Sequence, residues 1–438
     1  MPPLDEREAR ALIEKVLGRS RAEHCEVSIS GGRNGNVRFA RNTVSTSGVT
    51  ENTALRVTSS FGKQSGSASA NAFDDATIAS VVTRSEELAR LMPEDPEWMP
   101  PLGPQQYSPT TEWFEPTARY GAAERSAAAA GSVLPSREKK LITAGFLSHA
   151  DGWNAQGNSA GLFGWRRSTG IDFSVTARTE DGTGSGYATR DEHDASKLDA
   201  DAASRIAMEK AEASRSPRAW EPGKYTVVLE PDASVDLIGN MMFSMDLRRA
   251  EEGRSFLAAP DGKTRMGEQL LDPRITIVSD PADLRSPSSP WSGDGLPRKR
   301  TVWFDKGVVT NLACSRYWAE KSGREPLPGP GRIQMSGGST SLEELIKGTE
   351  RGVLVTRMWY IRSVDPQTLL YTGLTRDGTF AIENGRIAYA IKNFRFNESP
   401  VTMLANVEEL GTPLRRNGHM IPPMRVRDFT FTSLSDAV

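Results

Sequence analysis

The sequence predicts an α+β protein: an N-terminal domain of helices and antiparallel strands, followed by a strand-rich C-terminal domain. Three patterns point there. An amphipathic helix, several alternating strands and a second helix open the chain. Ile171, Phe173, Val175 and Ala177 alternate strictly with polar residues. Near the far end, two apolar runs flank Asn384-Gly385, the preferred pair for a two-residue type I′ hairpin turn.

Taken in order, Asp5 to Gly18 reads as a helix capped by Asp5, with Ala9, Leu12, Ile13, Val16 and Leu17 in one stripe. Cys25, Val27 and Ile29 then alternate as a half-buried strand, and strand-like segments follow at Asn36–Phe39, Thr53–Thr58 and Gly66–Ala70. A helix from Asp74 or Asp75 carries Ile78, Val81, Val82, Ser85, Leu88 and Met92 on one side, and Pro93 stops it. Residues 1–92 thus form an N-terminal α+β region. The six prolines between Pro93 and Thr110 mark 93–110 as a linker or extended crossing segment. In the middle region, 111–220, an alanine-rich helix is predicted over Thr117–Gly131 and another over Asp194–Arg215. The glycine run Gly182-Thr183-Gly184-Ser185-Gly186-Tyr187 lacks nucleotide-loop spacing and reads as a hairpin or a close backbone approach. The C-terminal domain, 221–438, begins near Glu221-Pro222-Gly223. Its hairpin places Glu383 opposite Arg386, Ile382 opposite Ile387 and Phe380 opposite Tyr389. Pro326–Ser339 is glycine- and proline-rich and reads as a loop.

Bulk properties exclude several functions. A net charge of −2 gives no field that would favour nucleic acid. The charged segment Met1–Ser20 has no apolar core of a signal peptide, and no run of about 18 apolar residues occurs, so no membrane span and a cytoplasmic location are expected. Cys25 and Cys314, far apart and without a CxxC neighbour, read as buried, reduced thiols. Trp291, Trp318 and Trp359 read as core, with the lining of a groove as the alternative.

Catalytic signatures are missing. His24, His149, His193 and His419 are too scattered to supply two ligands from one helix, and HExxH, HExxxH, GxSxG and the phosphate loop are all absent. Acidic pairs such as Asp191-Glu192, Glu251-Glu252 and Glu343-Glu344 read as solvated faces.

The segment Trp359-Tyr360-Ile361-Arg362-Ser363-Val364-Asp365-Pro366, continuing through Gly373-Leu374-Thr375-Arg376-Asp377-Gly378-Thr379-Phe380 to Ile382-Glu383-Asn384-Gly385 and Lys392–Ser399, resembles the C-terminal signature of the TldD/PmbA metallopeptidase family in its TldE-like variant. The N-terminal block with Gly66–Asn71 is similar but less specific. Catalytic members of that family carry HExxxH on a helix and a later cysteine, which together hold zinc. Alignment without a gap puts Ile238, Gly239 and Phe243 at the His, Glu and His positions, and Gly411–Arg425 contains no cysteine. The resemblance therefore implies a non-catalytic subunit with no zinc or other cofactor of its own, paired with a zinc-bearing TldD-like partner in cleaving unfolded or modified peptides. Tyr360, Arg362, Thr372 and Asp377 are the candidate peptide contacts, although Arg362 and Asp377 could instead satisfy each other. Two alternatives stay open: a homodimeric peptide-binding protein without hydrolytic activity, and a peptidase with a relocated site using Cys314 or His193.

Overall fold

The computed structural model of the protein describes residues 3–435. Helix α1 (Glu6–Leu17) is closed at its start by a capping box between Asp5 and Glu8, and its stripe of Ala9, Ile13 and Val16 is buried. It packs against β1 (His24–Ala40), which is followed by β2 (Thr43–Phe61) and β3 (Gln64–Ala70). Helix α2 (Asp75–Leu91), capped by Asp74, follows. The sequence suggested separate short strands around 25–29 and 36–39; they are one strand, because Val27, Ile29, Val37 and Phe39 keep facing the core across Gly31-Gly32.

The proline-rich segment then crosses without helix or strand, as expected, and is tied down along its length. Glu97 forms a bidentate pair with Arg248 at 2.8 and 2.9 Å, and Tyr107 packs at a tilt against Trp291 with ring centroids 4.8 Å apart. Beyond it lie α3 (Glu115–Ala118), α4 (Ala122–Glu138), β4 (Leu141–Asn158), β5 (Phe163–Thr179), β6 (Ser185–Glu192) and α5 (Ala200–Ala213). Two sequence expectations are corrected here. The single helix Thr117–Gly131 is two helices, and α4 runs past Gly131, which sits mid-helix where an added Cβ would lie 2.1 Å from Asp201 of α5. Small residues let these helices approach closely, and Ser132 bonds Ser204 across them at 2.7 Å. Asp194–Arg215 is likewise broken, since Asp194 caps a short 3-10 turn and Asp199 caps α5 separately. The glycine run is a β5–β6 hairpin turn and a close approach at once, because a Cβ on Gly186 would meet the Ala207 carbonyl at 2.1 Å. All six strands join one antiparallel sheet in the order β3-β2-β1-β4-β5-β6, so the segments before and after the proline-rich crossing share a single layer.

The C-terminal half starts with β7 (Lys224–Leu229) and α6 (Pro231–Phe243). Short strands follow: β8 (Ile277–Ser279), β9 (Thr301–Asp305), β10 (Val308–Val309) and β11 (Ile333–Met335). Then come β12 (Arg351–Asp365), β13 (Leu370–Glu383), β14 (Arg386–Ala390), β15 (Asn393–Glu398), β16 (Val407–Leu410), β17 (Leu414–Arg416), β18 (His419–Ile421) and β19 (Met424–Ser435). Among the described residues they build a sheet in the order β12-β7-β19-β15-β13-β14 and a second, β10-β9-β8-β11-β18-β17. Strand β11 interrupts the loop expected over 326–339, since Ile333 and Met335 are buried. The Asn384-Gly385 turn forms with φ of 52° and 72°. Glu383 faces Arg386 and Ile382 faces Ile387, but Phe380 faces Ala390 rather than Tyr389, because a bulge shifts the register by one. Tyr389 is turned to the opposite face, where its hydroxyl meets Glu383. No helix among the described residues is long and apolar enough to cross a membrane.

Candidate functional site

Helix α6 opens with Pro231 at its first turn, where no backbone donor is needed. Its stripe of Ser234, Leu237, Ile238 and Met241 is buried. The opposite stripe, at the helical spacing i, i+3, i+4, i+7, is Asp236, Gly239, Asn240 and Phe243. Gly239 has open space where a side chain would stand, and Phe243 is 80% exposed. Of the three positions aligned with the family's His, Glu and His, then, two face outward, whereas Ile238 is fully buried in the core.

Facing this stripe is the irregular half of the β12–β13 pair. The register slips between Trp359 and Arg362, and Tyr360 takes a left-handed φ of 54°. This conformation is disfavoured for an aromatic residue and projects it from the sheet. The result is a pocket of about 500 Å3 lined by Asp236, Gly239, Asn240, Trp359, Tyr360, Arg362, Asn417 and His419, among others. Trp359, expected in the core or lining a groove, takes the second place and is 46% exposed.

Of the predicted peptide contacts, Tyr360 and Arg362 line the pocket, with the guanidinium 4.3 Å over the Tyr360 ring. Thr372 lies opposite Arg362 in the sheet, and its hydroxyl donates to the Phe396 carbonyl at 3.0 Å. Asp377 lies elsewhere, buried at the junction with the N-terminal sheet. It pairs with Arg357 at 2.7 Å and accepts from the Ser185 hydroxyl. Arg362 and Asp377 therefore do not satisfy each other; each has its own partner. Sequence reasoning passed over Asp236, Asn240, Asn417 and His419. A helical-wheel reading of α6 would have shown the first two as polar positions on the side away from its core.

The pocket's polar groups have defined hydrogen-bonding states. His419 Nδ1 accepts from the Ile333 amide at 3.1 Å, and burial, with Arg332 nearby, lowers its pKa to about 4. The ring is neutral at pH 7, and its Nε2 carries a proton to donate. The pocket walls and the neighbouring Asp232 carboxylate raise the Asp236 pKa. Donors, one carboxylate and two exposed rings thus converge on a space without a metal-binding set. Among the described residues, no group of three or more His, Cys, Asp and Glu side chains could hold a metal ion. These residues do not fit the family's zinc.

Neither residue considered for a relocated site is free to act. His193 donates from Nδ1 to the Thr169 carbonyl and accepts at Nε2 from Arg332, and burial and that cation lower its pKa to about 4. Cys314 is a buried free thiol, as is Cys25, and burial raises the pKa of both.

One salt link and one hydrogen bond tie α6 to the N-terminal domain, and a second salt link ties it to β17. Glu230, at its N-cap, holds Lys210 of α5 at 2.6 Å, and Asp232 holds Arg416 at 2.8 Å and accepts from Thr189 of β6.

Residues 222–433 match the PmbA/TldA metallopeptidase C-terminal domain, and residues 118–215 match the central domain of the same family. A protein named metalloprotease from Methanothermobacter thermautotrophicus is 26% identical over 212 residues, or 44% of each chain, so the match spans less than half of that relative. TldE from Thermococcus kodakarensis has the same fold, with a TM-score of 0.85 at 16% identity over 97% of this chain and 99% of that one. A protein described as a candidate modulator of DNA gyrase from Bacteroides thetaiotaomicron gives 0.84 at 19% identity, covering 97% and 98%. The two matched domains cover most of the chain, which belongs to the PmbA/TldD metallopeptidase family.

Proposed function

We propose that this chain is the non-catalytic, TldE-like subunit of a heteromeric peptidase, holding unfolded peptide for a zinc-bearing TldD-like partner. The outer stripe of α6 carries the reading: Asp236, Gly239, Asn240 and Phe243 offer one ligand type where the family's chemistry needs three donors. What remains is a pocket of hydrogen-bond donors and exposed rings, which suits main-chain and side-chain contacts to an extended segment. Co-expression with a TldD-like chain that retains HExxxH tests it. The two chains should co-purify, zinc should track the partner, and this chain should raise the partner's peptide cleavage. Failure to co-purify, with cleavage unchanged by added chain, would defeat the proposal.

A further inference from the structure

Trp359 lines two cavities. One is the α6 pocket. The other, of about 510 Å3, lies on the outer face of the N-terminal sheet and ends against Tyr187, Arg357 and Trp359. Its floor is a cross-strand row, with Arg38 on β1 opposite Phe146 on β4, and Phe146 opposite Ser174 on β5. Phe146 is 42% exposed. Arg357 braces the far wall: its guanidinium lies 3.8 Å from the Tyr187 ring centroid and 5.0 Å from that of Trp359. Asp377 already neutralises Arg357. Arg38 is different, an exposed cation in the groove that forms no ion pair among the described residues.

We infer that these two cavities form one track for an extended acidic peptide, which places a large apolar side chain on Trp359 and a carboxylate on Arg38. The inference rests on the peptide-holding reading above and adds a substrate class to it. Charge selects the occupant, because both exposed cations along the track, Arg38 and Arg362, lack a carboxylate partner within the described residues. The spacing follows from the sheet. Three inter-strand steps at about 4.8 Å each carry the track roughly 14 Å from Arg38 on β1 to Tyr187 on β6, and Trp359 of β12 stands just beyond, across Arg357, so an extended chain covers the distance in about four or five residues.

The test is fluorescence anisotropy of the full chain with labelled, unstructured twelve-residue peptides. One carries glutamate four or five positions from a single phenylalanine, a second has the two adjacent, and a third has lysine in place of glutamate. The first should bind tightest. Trp359→Ala should weaken it at least about tenfold, and Arg38→Glu by about fivefold while reversing the preference for acidic over basic peptide. Both side chains are exposed, and circular dichroism verifies folding; should Trp359→Ala misfold, the Arg38→Glu charge swap decides alone. Preference for glutamate unchanged by Arg38→Glu, or affinity indifferent to spacing, overturns the inference. Binding that needs Tyr360 and Arg362 but neither Arg38 nor Trp359 overturns it too, yet leaves the peptide-holding reading intact. No binding by any peptide overturns both.

Discussion

Replacing Arg416 by methionine should destabilise the domain junction that holds α6 in place. Arg416 is 8% exposed, and its Nε donates to Asp232 Oδ2 at 2.8 Å while Nη1 donates to the Arg415 carbonyl at 2.6 Å. Burial alone would lower the Arg416 pKa, but the Asp232 carboxylate raises it, so the guanidinium stays charged. Methionine keeps most of the buried stem, so the loss reports mainly on charge. Asp232 would keep only the Thr189 hydroxyl, with Asp236 one turn away. Breaking a buried pair costs about 3–5 kcal/mol; with both side chains still slightly exposed, we expect about 3 kcal/mol. Asp232→Asn alone should also destabilise, while the double variant should be less damaged than the sum by about 2 kcal/mol. Urea unfolding at neutral pH, followed by tryptophan fluorescence, measures all three. A loss below about 1 kcal/mol for Arg416→Met, or additive losses in the double variant, would refute the view that this pair anchors α6.

Acidification should destabilise the fold through His149 and His193. Burial, with Arg125 and Arg332 respectively, lowers both pKa values to about 4. The unfolded chain therefore takes up protons first, and stability is lost as pH falls from about 6.5 towards 4, by roughly 2 kcal/mol per histidine at pH 5. Urea midpoints against pH for wild type and His149→Gln check this; equal slopes would contradict it. Gly186→Ala should force β6 and α5 apart, because the new Cβ would meet the Ala207 carbonyl at 2.1 Å. A loss of about 2–3 kcal/mol is expected, seen as a lowered melting temperature. Restoring the family motif by Ile238→His, Gly239→Glu and Phe243→His should not restore zinc binding, since position 238 faces the core; it should destabilise by about 3 kcal/mol or more. Stoichiometric zinc in that folded variant, by elemental analysis, would show the helix face to be misassigned.

Local rules made much of this protein legible from its residues alone. The capping aspartates at 5 and 74, the stripes of α1 and α2, the strict alternation of β5 and the Asn384-Gly385 turn each depend on neighbours a few positions away. Such short-range preferences are written directly into the chain. The family signature near Trp359 was equally visible, because its residues are contiguous.

What only the tertiary structure decided depends on long-range packing. Gly131 ended a helix in the sequence reading but lies inside one, because α5 approaches from about 70 residues away. The Phe380–Tyr389 register failed on a bulge that no propensity announces. The site shows the same division. Asp236 and Asn240 on α6, Tyr360 and Arg362 on β12 and His419 on β18 converge from segments about 180 residues apart. Asp377, chosen beside them in sequence, is carried to another junction by its left-handed backbone and Arg357. The sequence alone determined which groups the chain possesses. Which of them share a pocket depended on strand pairing and on the salt links that seat α6, and these are energies between residues remote in the chain.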